Sequence, residues 1–186
     1  SFLSTEKRLI LKKILTILTL LFSVLSFCAP TTWNGSGWSN GVPTSNDEAT
    51  ITGNYTVNSL TGILDCKSLI VRSNAVFTVE TGYYVNIWAQ DLEVIENGKV
   101  FIKSGADILI RNGGGQIKNT IPANFVIENG GAIIQLLGNA SNVGSITFKR
   151  NTKPVKLNDY TYWSSPVSGQ LYNQLPPFTT GMRIFT

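Results

Sequence analysis

Cys28 and Cys66 are the two thiols of the chain, and no histidine accompanies them among its 186 residues. A cysteine nucleophile needs a base to make its thiolate, and histidine is the usual one. Cys66 therefore reads as a small buried hydrophobe. The remaining chemistry-bearing residues are acids, bases and aromatics. Asp65, Asp91 and Asp107 with Arg72 are the raw material of a polysaccharide lyase, which wants clustered carboxylates on Ca²⁺ and an Arg or Lys nearby as base. A glycosidase would want two opposed carboxylates. Trp33, Trp38, Tyr162 and Trp163 are of the type that stacks on sugar rings, and they are the candidate glycan contacts. The glycines at 113–115 invite a phosphate-cradling reading. They lack the Lys-Ser/Thr and following helix of a P-loop, so they read as a loop.

Whether the acids and bases meet depends on the elements that carry them, and those announce themselves by repetition. Residues 69–87, LIVRSNAVFTVETGYYVNI, superimpose on residues 92–110, LEVIENGKVFIKSGADILI, at a constant shift of 23. Leu69 falls on Leu92, Val71 on Val94, Phe77 on Val100, Val79 on Ile102, Gly82 on Gly105, Val85 on Ile108 and Ile87 on Ile110. Apolar residues alternate and turn residues punctuate both copies at the same places. Short strands stacking into a solenoid produce this pattern, each coil burying its apolar face on the next. A sandwich has no reason to keep a fixed register. The expected fold is all-β, a right-handed parallel β-helix-like solenoid with three short strands per coil. Strands are expected at ATIT, YTV, SLIV, AVFTV, YVNI, LEVI, KVFI, DILI, FVI, AIIQLL and SITF.

This register tests the chemistry. Asp65 lands on Trp88, Asp91 on Ser68, Asp107 on Tyr84 and Arg72 on Ile95. No acid stacks on an acid, and no basic column forms, so neither lyase nor hydrolase is expected. No catalytic, cofactor-binding or metal-ligating set emerges. Thr78 lands on Phe101, which breaks the threonine ladder an ice-binding face requires. Glu80 is expected over Lys103 on the outer face as an ion pair.

A third copy is aligned at a shift of 32, with Glu96-Asn97-Gly98 on Glu128-Asn129-Gly130, Val100 on Ala132 and Ile102 on Ile134. Nine extra residues then loop out, and Arg111 to Asn119, RNGGGQIKN, is the natural place.

The net charge of +4 is concentrated at the front, where Lys7, Arg8, Lys12 and Lys13 against Glu6 supply +3. A body near neutrality offers no face for a phosphate backbone, so no nucleic-acid partner is expected. Those bases precede Ile14 to Phe27, an apolar run too short to span a membrane. Together they describe a secretory signal peptide over residues 1–28, cleaved after Cys28; the membrane is met only during export. Three glycosylation sequons, at Asn34, Asn54 and Asn139, are attributed to composition.

Residues 29–48 read as an N-terminal cap shielding the first coil. Trp33 and Trp38 amid Gly, Asn and Pro are judged unable to form a regular strand or helix. The solenoid is expected over 49–150. Past Arg150 the alternation is lost, and 151–186 holds four of the seven prolines, as in the truncated start of a further region. Absence of an initiator Met and a stop inside an apolar run suggest that both ends are cut.

Trp33-x-Gly35-x-x-Trp38-Ser39-Asn40-Gly41-x-Pro43, followed by Asp47 and strand repeats with Asn-Gly turns, resembles the N-terminal region of large secreted surface proteins of Bacteroidota, many of them type IX secretion substrates. Tyr160 to Gln170, YTYWSSPVSGQ, looks like a motif that follows the repeats in the same proteins. The resemblance implies an exported surface protein with a β-helix-like module; the C-terminal sorting domain of such proteins is absent here. The expectation is a non-enzymatic structural or adhesive module, secreted or on the outer cell surface, with surface glycans or other surface proteins as partners. The competing class is a carbohydrate-active β-helix protein, either a glycan-binding module or a lyase.

Overall fold

The computed structural model of the chain describes residues 30–111, 114–136 and 141–151, with Lys7, Ile10, Lys12 and Lys13. The rest of the expected signal peptide, and Tyr162 and Trp163, lie outside the described residues. The chain divides into two units, Ser1–Arg150 and Asn151–Thr186. All elements below belong to the first.

Strand β1 (Thr31–Trp33) is followed by a coil of β2 (Glu48–Ile51), β3 (Tyr55–Val57) and β4 (Leu64–Cys66). The second coil holds β5 (Ser68–Val71), β6 (Val76–Val79) and β7 (Tyr84–Ile87), and the third β8 (Leu92–Val94), β9 (Lys99–Ile102) and β10 (Asp107–Ile110). The fourth holds β11 (Ile117–Asn119), β12 (Phe125–Ile127) and β13 (Ala132–Gln135), and β14 (Val143–Gly144) and β15 (Thr147–Phe148) begin a fifth. Strands at equivalent places pair in parallel into three sheets, ordered β1-β2-β5-β8-β11-β14, β3-β6-β9-β12-β15 and β4-β7-β10-β13. These elements form a parallel β-solenoid of about four turns.

Strands this short cannot hold a sheet alone; stacking and burial do it. Along β10, Ile108 and Ile110 are fully buried while Asp107 and Leu109 are half exposed, so each strand gives one face to the core. Like then lies over like: Phe77 over Val100 over Phe125, Val79 over Ile102 over Ile127, and Val85 over Ile108 over Ile133. Each fully buried aliphatic or Phe side chain contributes about 1.5–3 kcal/mol relative to exposure.

The corners repeat as faithfully as the core. Gly82 N–H donates to Gly105 O at 2.9 Å and Gly105 N–H to Gly130 O at 3.0 Å. All three have φ between +68° and +87°, the left-handed conformation that glycine adopts without cost.

The register between the second and third coils is the expected shift of 23. The third copy is misaligned in the expectation. Leu92 pairs with Ile117, Val100 with Phe125 and Asp107 with Ala132, so the true shift is 25. Asn129-Gly130 belongs to the corner of Ser104-Gly105, not to that of Asn97-Gly98; a coil has several similar corners, and the alignment slipped by one side. Only two residues are inserted, between Ile110 and Ile117. Residues 117–119, expected in a nine-residue loop, form β11 because Ile117 and Asn119 alternate into the interior. The ion pair expected in that register is made one coil further on. Glu80 and Lys103 do share the outward column expected of them, each following the paired Val79 and Ile102, but Lys103 Nζ lies 3.2 Å from Glu128 in the next coil.

Residues 31–33 are likewise a strand where none was expected. β1 extends the first sheet by pairing with β2. The chain then folds back over it: Ser39 N–H donates to Thr32 O at 3.0 Å, Thr32 N–H to Ser39 Oγ at 3.0 Å and Thr31 Oγ1 to Gly41 O at 2.8 Å. The open side of the edge strand is thereby occupied.

Candidate functional site

Trp33 and Trp38 come together at this end of the solenoid, their ring centroids 5.8 Å apart and tilted by 56°. Both meet Tyr55 edge-on, at 5.0 and 5.3 Å, and Tyr55 stacks on Phe77 at 6.2 Å. The half-buried Trp33 donates its Nε1–H to Asn54 O at 2.9 Å. Rings inclined to one another cover the first core aromatic more readily than they offer a single flat face to a pyranose.

Cys66 is fully buried, and its Sγ donates to Asn86 O at 3.7 Å. Burial pushes its thiol well above the ordinary value, with the nearby Asp65 charge adding to the effect, so it carries no thiolate. Asp65 pairs in register with Asn86 instead of Trp88, yet reaches both: Asn86 Nδ2 and Trp88 Nε1 each donate to Asp65 Oδ1 at 2.9 Å. Arg111 Nε donates to Asn86 Oδ1 at 2.9 Å, and its guanidinium sits 4.7 Å from the Trp88 ring centroid. These four side chains tie three coils together. Arg72, expected beside Ile95, reaches past it to chelate Glu96 with its guanidinium.

A cluster that the aligned aspartates did not reveal lies on the outward face of the first sheet. Glu48 pairs in register with Ser68, and Ser68 falls one step before the Leu69–Leu92 pair, beside Asp91. In the next outward column Ile70 pairs with Glu93, and Glu93 with Lys118. Acids thus stand on the coils on either side of the short Ser68, leaving a notch between strands about 4.8 Å apart. Its volume is about 440 Å³, and Glu48, Ser68, Ile70, Gln90, Asp91 and Glu93 line it with Ala89 and Gly114. Sequence reasoning missed it for two reasons: the carboxylates face each other across Ser68 instead of stacking, and Lys118 joins them only at the shift of 25.

Lysines bind these acids. Lys118 Nζ lies 2.7 Å from Glu93 Oε1 and bridges to Asp91, while Lys67 Nζ lies 3.5 Å from Glu48 Oε1. Burial alone would raise the Asp91 carboxyl. The Lys118 hydrogen bond, the Gln116 N–H at 2.8 Å and the Lys118 charge outweigh it and hold Asp91 below the usual carboxylate range. The hydrogen bonds that Lys118 donates to Asp91 and Glu93 in turn push its own pKa up. Asp91 is therefore fixed as carboxylate and Lys118 as ammonium.

A pH dependence follows. A carboxyl whose pKa is depressed on folding adds stability that is complete above its unfolded value and disappears as the pH falls through the folded one. Acid unfolding of an Asp91→Asn variant should show a shallower loss of stability below the usual carboxylate range, followed by tryptophan fluorescence. Superimposable acid limbs for the variant and the parent would contradict this account of Asp91.

Among the described residues, no group of three or more Cys, Asp and Glu is placed to hold a metal ion. No helix of the described residues is long and apolar enough to cross a membrane. One family model matches residues 84–186, more than half of the chain, under the description domain of unknown function (DUF8693). No curated protein matches the chain, and no solved structure does.

Proposed function

Since the chain belongs to the DUF8693 family, whose description assigns no activity, we propose a function from its geometry: a non-enzymatic structural or adhesive module of a larger exported protein, secreted or on the cell surface. The observation that carries this reading is the use made of outward charges. Lys67–Glu48, Arg72–Glu96, Lys103–Glu128 and Lys118 with Asp91 and Glu93 are pairings of this kind. They join one coil to the next, Lys67 standing just before β5, where its N–H donates to Asp47 O at 2.8 Å. Each such pair is worth only about 0–1 kcal/mol at an exposed site. Repeated along a solenoid, they fasten neighbouring coils whose mutual contacts determine stability.

Export is supported by the basic residues preceding Ile14 to Phe27. The resemblance of residues 33–43 to Bacteroidota surface proteins supports a type IX route. Surface glycans or other surface proteins are the partners in this reading.

The carbohydrate-active alternative draws on the notch, with its three carboxylates. Turnover there is opposed by the electrostatics. A lyase base must give up its proton, whereas Lys118 is held protonated; a glycosidase acid must have its pKa raised, whereas that of Asp91 is lowered. The purified chain, incubated with acidic and neutral polysaccharides, should release neither unsaturated uronate ends nor new reducing ends. Catalytic release of either product would overturn the non-enzymatic reading.

A further inference from the structure

We propose that the notch over Ser68 and Ile70 binds a neutral sugar unit, about a disaccharide in extent; the inference rests on the reading of the chain as a surface module that binds without turnover. Concavity is the first support. A regular outer sheet face has no hollow, and this one arises because Ser68 is short where its column neighbours Glu48 and Asp91 are long. A volume of about 440 Å³ lies within the roughly 300–1,000 Å³ of small-molecule sites.

Ser68 is the second support. It is only 7% exposed, yet its hydroxyl has no hydrogen-bond partner among the described residues while lining the floor of the notch. Among the described residues the one buried side-chain oxygen without a partner is Asn119 Oδ1, so the Ser68 hydroxyl is reached by solvent in the notch, where a ligand hydroxyl can take the place of water as its partner.

The chemistry of the walls selects the class of ligand. Three carboxylates repel an anion. They do not call for a further cation, because Lys118 is shared between Asp91 and Glu93, and Lys67 stands beside Glu48. Each carboxylate can accept about four hydrogen bonds in all, so lone pairs remain for hydroxyl donors, as short charge-assisted bonds. Ser68 and the Gln90 carboxamide supply donors, while Ile70 and Ala89 give an apolar floor suited to the C–H face of a pyranose. Acceptors, donors and an apolar patch within one hollow match a polyol better than an amine or an acid.

Isothermal titration of the purified full chain with cellobiose, maltose, lactose and chitobiose tests this, with digalacturonate and spermidine as anionic and cationic probes. Saturable binding of at least one neutral disaccharide is expected. Ser68→Ala and Ile70→Trp, the second filling the notch, should each weaken it at least tenfold with the unfolding midpoint unchanged. Binding of none of the four disaccharides, or of spermidine or digalacturonate alone, overturns the proposal. So does neutral-sugar binding that survives both substitutions, which would place it elsewhere. Cleavage of a bound disaccharide, abolished by Ile70→Trp, would refute the non-enzymatic reading and leave the sugar site standing.

Discussion

Phe77→Ala is expected to remove about 3–5 kcal/mol of stability, the usual cost of emptying a buried phenylalanine site. Phe77 is wholly buried at the centre of the aromatic column, stacked at 6.2 Å on Tyr55 on one side and paired in register with Val100 on the other. The cavity would lie between coils whose backbones are hydrogen-bonded to each other, so collapse around it is hindered. The loss should appear as a lower urea midpoint with a native-like far-ultraviolet spectrum at zero denaturant. A change below about 0.5 kcal/mol, the scale of an ordinary surface substitution, would show that the layers repack freely and that the column is not the core.

The second large effect comes from the smallest side chain. Gly98 lies at the corner between β8 and β9, and a Cβ there would stand 2.2 Å from Val71 O and 2.6 Å from Val71 C. Those atoms are backbone of the preceding coil, fixed by the Ile95 N–H to Val71 O bond of 3.0 Å. Relief therefore requires the coils to part. Gly98→Ala should cost about 3 kcal/mol or more, at the upper end of overpacking penalties. Gly37→Ala is the matched control, since nothing lies within 4 Å of its Cβ position. Equal melting temperatures for the two variants would contradict the close approach of the coils at Gly98.

The repeat from Leu69 to Ile110 made the solenoid legible because burial in a stacked coil imposes the same side-chain type at the same place. Where the sequence was less informative, the cause is equally local. β4, Leu64–Cys66, places one aspartate between two buried residues, too few to show alternation. β1 hides among turn residues, since an edge strand covered by residues 38–41 needs no apolar run of its own. Asn119 is inward and only 1% exposed, and its side-chain Nδ2 bonds to Ile121 O at 2.9 Å; a polar residue in a core column is invisible to hydrophobic patterning. The notch was harder still, because it is made by what Ser68 lacks. Reading it requires the registers of three consecutive coils at once, and Lys118, which binds two of its acids, comes from a fourth coil whose register had slipped.

The fold-back of residues 38–41 over Thr32 bears on how such molecules coexist. A bare parallel edge is a template on which a neighbour's strand can be laid down, and from there ordered aggregation can spread. With the Thr32 amide and carbonyl already engaged, that terminus is insulated by the protein's own backbone. Copies brought close together can touch there without seeding a fibril.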